Sequence, residues 1–162
     1  EDNIKEICKD FVSYNKALDV FSSTFRHKYL QLCEKSLETY ISKPKDSVIT
    51  ELISYSYSWD NYSLSVLYLK IFNYMFPTGI HKNTILTEFS QILASNISPD
   101  VSARFNTIDT RSKFEGIFFT TGNVKEYQDI VTFFNNSSSK LTKQIKDDKD
   151  SLQRLRSMSS NR

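Results

Sequence analysis

The sequence predicts an all-α protein, a helical bundle or stacked helical repeat of five to seven helices with a long N-terminal helix. Three observations carry this expectation. Three Gly and three Pro among 162 residues are too few for the turns of an all-β fold or the phosphate-binding loops of an α/β enzyme. Apolar residues in the first segment recur every seven positions, at Ile4, Phe11, Leu18, Phe25 and Leu32. And the stretch WDNYSLSVLYLKIFNYMFP, Trp59–Pro77, carries six aromatics at helical spacing.

The first segment, residues 1–42, contains neither Gly nor Pro. Ile7, Tyr14 and Phe21 fill the second apolar position of each heptad until Lys28 and Lys35 break the series. Large aromatics in the first heptad position suit packing within one domain better than a parallel two-stranded coiled coil. Pro44 disfavours a helical residue before it and closes the segment. As one continuous helix, the segment would hold Cys8 and Cys33 about 37 Å apart at 1.5 Å per residue, beyond disulfide reach. Two unpaired thiols suit a reducing compartment, cytoplasmic or nuclear rather than secreted.

Further along, Asp46 or Ser47 caps a helix carrying Val48, Ile49, Leu52 and Ile53, and Asp60 is placed to cap the aromatic helix. On a helical wheel, Asp60, Ser63, Lys70 and Asn73 form a narrow wet stripe, while Leu64, Leu67, Ile71 and Met75 form an apolar face. Tyr62, Val66, Leu69 and Phe76 extend that face around the side, so the helix is expected to lie buried at the centre of the bundle. Its charged positions exclude a membrane span. Asn83 caps the next helix, with Ile85, Leu86, Phe89, Ile92 and Leu93 on one face. Ser98-Pro99-Asp100 reads as a further helix start, followed by Val101, Phe105 and Ile108. The run KFEGIFFTTGN fits either a short helix or an extended piece. Asn123–Glu126 resembles a capping box before the stripe Val124, Tyr127, Ile130, Val131 and Phe134.

Composition then shifts. The expected organisation is a helical core over 1–135, a Ser/Asn linker over 136–139 and a charged C-terminal helix or tail over 140–162. That tail holds seven Lys/Arg and three Asp, a net of +4, leaving −2 (14 basic against 16 acidic) for residues 1–139. Leu141, Ile145, Leu152 and Leu155 give it a thin apolar seam, enough for docking or pairing but not for an independent core.

Chemistry-bearing sets are sparse. The two histidines are His27, flanked by Arg26 and Lys28, and His81, beside a turn glycine. Neither has a partner at the spacing of a zinc site, no acid-rich loop suggests calcium, and the glycines are too scattered to cradle phosphate. No enzymatic activity, cofactor or metal is expected. Lys140, Lys143, Lys146 and Lys149 repeat every three residues. They wind around a helix among Asp147, Asp148 and Asp150, whereas an anionic membrane or phosphate backbone favours an unbroken basic face.

At Trp59 the pattern W-x-x-Y-x6-L-x-x-F is filled by Trp59, Tyr62, Leu69 and Phe72 and closes on Tyr74-Met75. It resembles a helix of the N-terminal repeats of cullins, and the preceding KYLQLCEKSLETYI and DSVITELI fall where that repeat has helices. The aromatic pair comes one position early, and Met75-Phe76-Pro77 replaces the basic continuation usual there. The resemblance implies a stacked-helix scaffold that recruits a partner protein.

The function expected from these readings is a non-enzymatic protein–protein interaction module. A chain beginning at Glu1 rather than Met suggests a piece of a larger scaffold, adaptor or tethering protein. Interfaces enrich aromatics at their centres, which makes Tyr55, Tyr57, Phe118 and Phe119 candidate contacts, with Leu152 and Leu155 on the terminal helix. The expected partner is another protein, a second copy in a homo-dimer included. The alternative is a helical dimer on an anionic membrane, using the first helix and Lys140, Lys143, Lys146 and Lys149. Mixed charge and a pI near 8.5 speak against nucleic acid.

Overall fold

The computed structural model describes residues 2–76, 80, 83–121 and 124–159, with the side chains of 2, 118–121, 124, 140, 141, 144, 145, 148 and 151–159 left out of the description. Seven α-helices run through these residues: α1 (Asp2–Tyr14), α2 (Ser23–Glu38), α3 (Lys45–Ser54), α4 (Trp59–Met75), α5 (Thr84–Asn96), α6 (Thr107–Thr121) and α7 (Val124–Ser159). Short 3-10 turns at Lys16–Val20, Ser56–Ser58 and Val101–Ala103 join them, and no strand occurs among the described residues. The fold is all-α, as its few glycines and prolines imply.

The long N-terminal helix is broken in two. Asn15 leaves the helical region and its side chain accepts from the Ala17 backbone N–H; Ser22 then caps α2 by accepting from Phe25. These short polar side chains offer the backbone a local alternative to the helix ladder, and burial supplies the larger reason. The turn between them drives Ala17 and Leu18 to 0% exposure, packed against α4. α1 folds back onto α2, and Cys8 and Cys33 line one cleft instead of lying far apart.

The chain forms two compact units, Glu1–Gly122 and Asn123–Arg162. In the first, α4 packs on α5 and α5 on α6. Its core gathers Leu18, Leu69, Phe72, Ile85, Leu86, Leu93 and Ile97. Tyr29 ties α2 to the far end of α5, its hydroxyl donating to the Ile97 carbonyl at 2.7 Å. Asn83 caps α5 as expected, accepting from the Leu86 N–H. α3 starts at Lys45 without a side-chain cap, and α4 starts at Trp59 with Asp60 in its first turn instead of capping it. Asp100 caps only a 3-10 turn; α6 begins later, where Asn106 accepts from the Asp109 N–H at 2.8 Å. KFEGIFFTT belongs to α6 and is helical.

The second unit is the helix α7, 36 residues long. It runs unbroken through 136–139, so the expected linker is helical and the division between units falls near residue 122. Ser138 donates to the Asn135 carbonyl at 2.9 Å and Thr142 to that of Ser138 at 2.9 Å, so these hydroxyls bond back along the helix. A Ser/Asn run costs a helix a few tenths of a kcal/mol per residue, far less than Gly or Pro. The proposed Asn123 cap lies outside the described residues.

Candidate protein-binding groove

The outer face of α4 departs most from expectation. Leu64 is 51% exposed, Leu67 54% and Tyr74 41%. The side turned inward carries Ser65, Leu69, Phe72 and Met75. Of the residues assigned to the interior, Leu64 and Leu67 are exposed, Tyr62, Val66, Ile71 and Phe76 are half-buried, and Leu69 and Met75 are buried. Small residues decide the orientation. Ser58 and Ser65 are 0% and 1% exposed, and their short side chains let neighbouring backbone approach where a leucine would hold it off.

Ser65 anchors a polar node that fixes three helices. Asn96 of α5 donates to its hydroxyl at 3.2 Å. Thr110 of α6 donates to the Asn96 side-chain oxygen at 3.1 Å. Asn61 donates to Thr110 at 3.1 Å and to the Phe105 carbonyl at 3.2 Å. Asn96 is 1% exposed, and no buried side-chain polar atom among the described residues lacks a partner. Such a satisfied network specifies one arrangement of helices.

This node floors a groove of about 290 Å³ between α4, α5 and α6. Leu64 and Tyr68, one helical turn apart, form one wall; Phe114 of α6 forms the other. Phe89 lies between, its ring 5.7 Å from Tyr68 and 5.0 Å from Phe114, centroid to centroid, with Phe72 behind it at 5.8 Å. Edge-on and tilted contacts of this kind are the favoured geometries of aromatic pairs, so the rings pack against one another across the groove. Arg111 stands at the rim, paired with Glu115 at 2.7 Å.

Tyr55 and Tyr57 do come together, 6.3 Å apart where α3 meets the turn before α4, with Tyr57 51% exposed. They lie outside the groove's lining. The side chains of Phe118 and Phe119, on the last turns of α6, lie outside the described residues, as do those of Leu152, Leu155 and Lys140 on α7. Lys143, Lys146 and Lys149 are exposed, with Asp147 and Asp150 exposed among them. His27 is exposed on α2, with its Nε2 3.3 Å from the Gln31 amide nitrogen; His81 lies outside the described residues.

Of the groove-lining residues, the sequence reading placed Leu64 and Phe89 on apolar faces, left Phe114 in the ambiguous KFEGIFFTTGN and singled out no role for Tyr68. The available signal was Ser65, a polar residue between Leu64 and Val66. Among the described residues, no three His, Cys, Asp or Glu gather to hold a metal ion, and no helix is long and apolar enough to cross a membrane.

Comparison with family models, with curated proteins and with solved structures finds no match for this chain. Of the cullin-like pattern, Leu69 and Phe72 are core, Tyr62 is half-buried and Trp59 is 49% exposed.

Proposed function

We propose that this chain is a non-enzymatic helical interaction module, a component of a larger scaffold, adaptor or tethering protein. It receives an apolar segment of another protein in the α4–α5–α6 groove. One observation carries the reading: Leu64 and Tyr68 are 51% and 39% exposed on the wall of an aromatic groove. Contiguous exposed apolar surface bordered by polar residues marks interaction sites in soluble domains. Helix-in-groove recognition needs such a preformed apolar channel with anchors one turn apart. A stacked-helix scaffold of the cullin kind is compatible with this role.

Affinity capture from cell extract with the wild type and with Leu64→Glu and Tyr68→Ser variants tests the proposal. Partners retained by the wild type should be lost by both variants at unchanged far-ultraviolet circular dichroism. The same partners on all three proteins would contradict it.

A further inference from the structure

A second hollow, on the other side of α4, has a different chemistry. It is a cleft of about 300 Å³ bounded by α1, α2, α4 and the chain around Pro99–Arg104. Ile7 and Phe11 of α1 and Leu37 of α2 give it an apolar rim, 52%, 43% and 40% exposed. Its wall carries Tyr62 and Arg104. A second hollow of about 480 Å³ shares Phe11 and Tyr62 and continues past Tyr14 and Val66. Ile7, Phe11 and Tyr14 follow each other at helical spacing along about 10 Å of α1. The two hollows together form a channel of roughly two helical turns.

Arg104 is the unusual member. Its guanidinium lies over the Tyr62 ring, 4.5 Å from the centroid, and its Nε donates to the Ser98 carbonyl at 2.8 Å. Among the described residues its remaining donors form no ion pair. Each ion pair among the described residues uses another cation: Lys16, Arg26, Lys43 or Arg111. The nearest acid in sequence, Asp100, accepts at Oδ1 from the Ser102 N–H and hydroxyl at 3.0 and 2.7 Å and acts on Arg104 through its charge without forming an ion pair with it. Burial disfavours the charged form of Arg104, drawing its pKa down despite Tyr62, Tyr29 and the Asp100 carboxylate, which act to raise it. A desolvated guanidinium held by stacking and one carbonyl is preorganised for a carboxylate, which it can grip with two parallel hydrogen bonds.

Two thiols, Cys8 and Cys33, complete the cleft's lining. Burial pushes both above the ordinary thiol value of 9.0, Cys33 to about 12. Glu34 adds to both shifts, so an anion is disfavoured there and an apolar group is not. The cleft thus offers one cation, Arg104, for an acid and the exposed Ile7, Phe11 and Leu37 for apolar anchors.

We infer that this channel is a second docking site, for a short partner segment with apolar anchors along α1 and a carboxylate on Arg104. The inference extends the reading of the chain as an interaction module, and it stands apart from the α4–α5–α6 groove.

Selection of a displayed library of random 12-residue peptides on the chain bearing Leu64→Glu, which blocks the first groove, tests it. The expected winners carry two or more apolar residues and an Asp, a Glu or a terminal carboxylate at fixed spacing. Fluorescence polarisation with the best peptide should show at least roughly tenfold weaker binding after Arg104→Met, and the same loss when the acid becomes an amide. Arg104→Lys should recover part of the loss. Should Arg104→Met fail to fold by circular dichroism, Ile7→Glu on the exposed rim carries the test and should abolish binding. Peptides without an acid, binding indifferent to both Arg104→Met and Ile7→Glu, or no enriched peptide would each overturn the second site. Peptides that bind the unmodified chain but not Leu64→Glu would do the same while upholding the first groove.

Discussion

The hydroxyl of Tyr29 donates to the carbonyl oxygen of Ile97 at 2.7 Å, joining residues 68 apart in the chain. Tyr29 is 4% exposed and Ile97 0%, so neither group has water to fall back on. The bond closes the end of α5 against α2 and fixes the strand of chain that carries Pro99 and Arg104. Replacing Tyr29 with Phe leaves the Ile97 carbonyl buried and unpaired, which costs about 1–3 kcal/mol. Urea denaturation of Tyr29→Phe should give a lower midpoint at unchanged slope; an unchanged midpoint would remove this bond from the stability of the fold.

The orientation of α4 predicts opposite outcomes for two leucines two residues apart. Leu69 is 0% exposed and Leu67 54%. Leu69→Ala should cost about 3 kcal/mol through lost burial and the cavity left behind, whereas Leu67→Ala should stay within about 0.5 kcal/mol. Thermal unfolding of the two variants measures the contrast. Equal losses would mean that α4 is buried all round.

The break between α1 and α2 depends on caps that a heptad pattern hides. Ser22 accepts from the Phe25 N–H at 3.2 Å and Asn15 from the Ala17 N–H at 3.2 Å. Ser22→Ala should destabilise the protein by about 1 kcal/mol, and Ser22→Asp should hold or exceed the wild type because an acid also suits a helix N-terminus. Paired melting curves decide between them.

The buried thiols predict a pH dependence of known sign. The folded state holds the Cys33 proton to about 12, against 9.0 for an exposed thiol. Below pH 9 both states are protonated and the contribution is complete. Above it the unfolded chain releases the proton first, so stability falls as pH rises through that window. Tyr29, also pushed up by burial, adds to the fall above its ordinary value of 10.0. Urea midpoints between pH 8 and 10.5 should decline, and Cys33→Ala should flatten the decline. Iodoacetamide at pH 8 should label Cys8 and Cys33 slowly in the native protein and fast in urea.

The helical class was legible because so few Gly and Pro leave nothing else to build, and the Asn83 cap and the apolar face of α5 read directly. Two features were hidden for related reasons. The break at Asn15 and Ser22 was masked by a heptad that continues through it, since the buried Leu18 of the turn sits in register with Phe11 and Phe25 of the helices on either side. The face of α4 was hidden because both of its sides are apolar. Helix–helix approach chose the side with Ser58 and Ser65, where small size outweighs hydrophobicity. The groove followed from that choice, and with it the exposed Leu64 and Tyr68. The cleft at Arg104 could not be read at all, since it needs α1 folded back on α2 and both set against a turn some seventy residues later.

Whether the α4–α5–α6 groove receives another protein is tested most directly by placing a photoreactive phenylalanine at Tyr68 and irradiating cells that express the chain. A discrete cross-linked adduct that disappears when Leu64→Glu is added is the predicted result. Irradiation yielding no adduct, or one indifferent to Leu64→Glu, would contradict it.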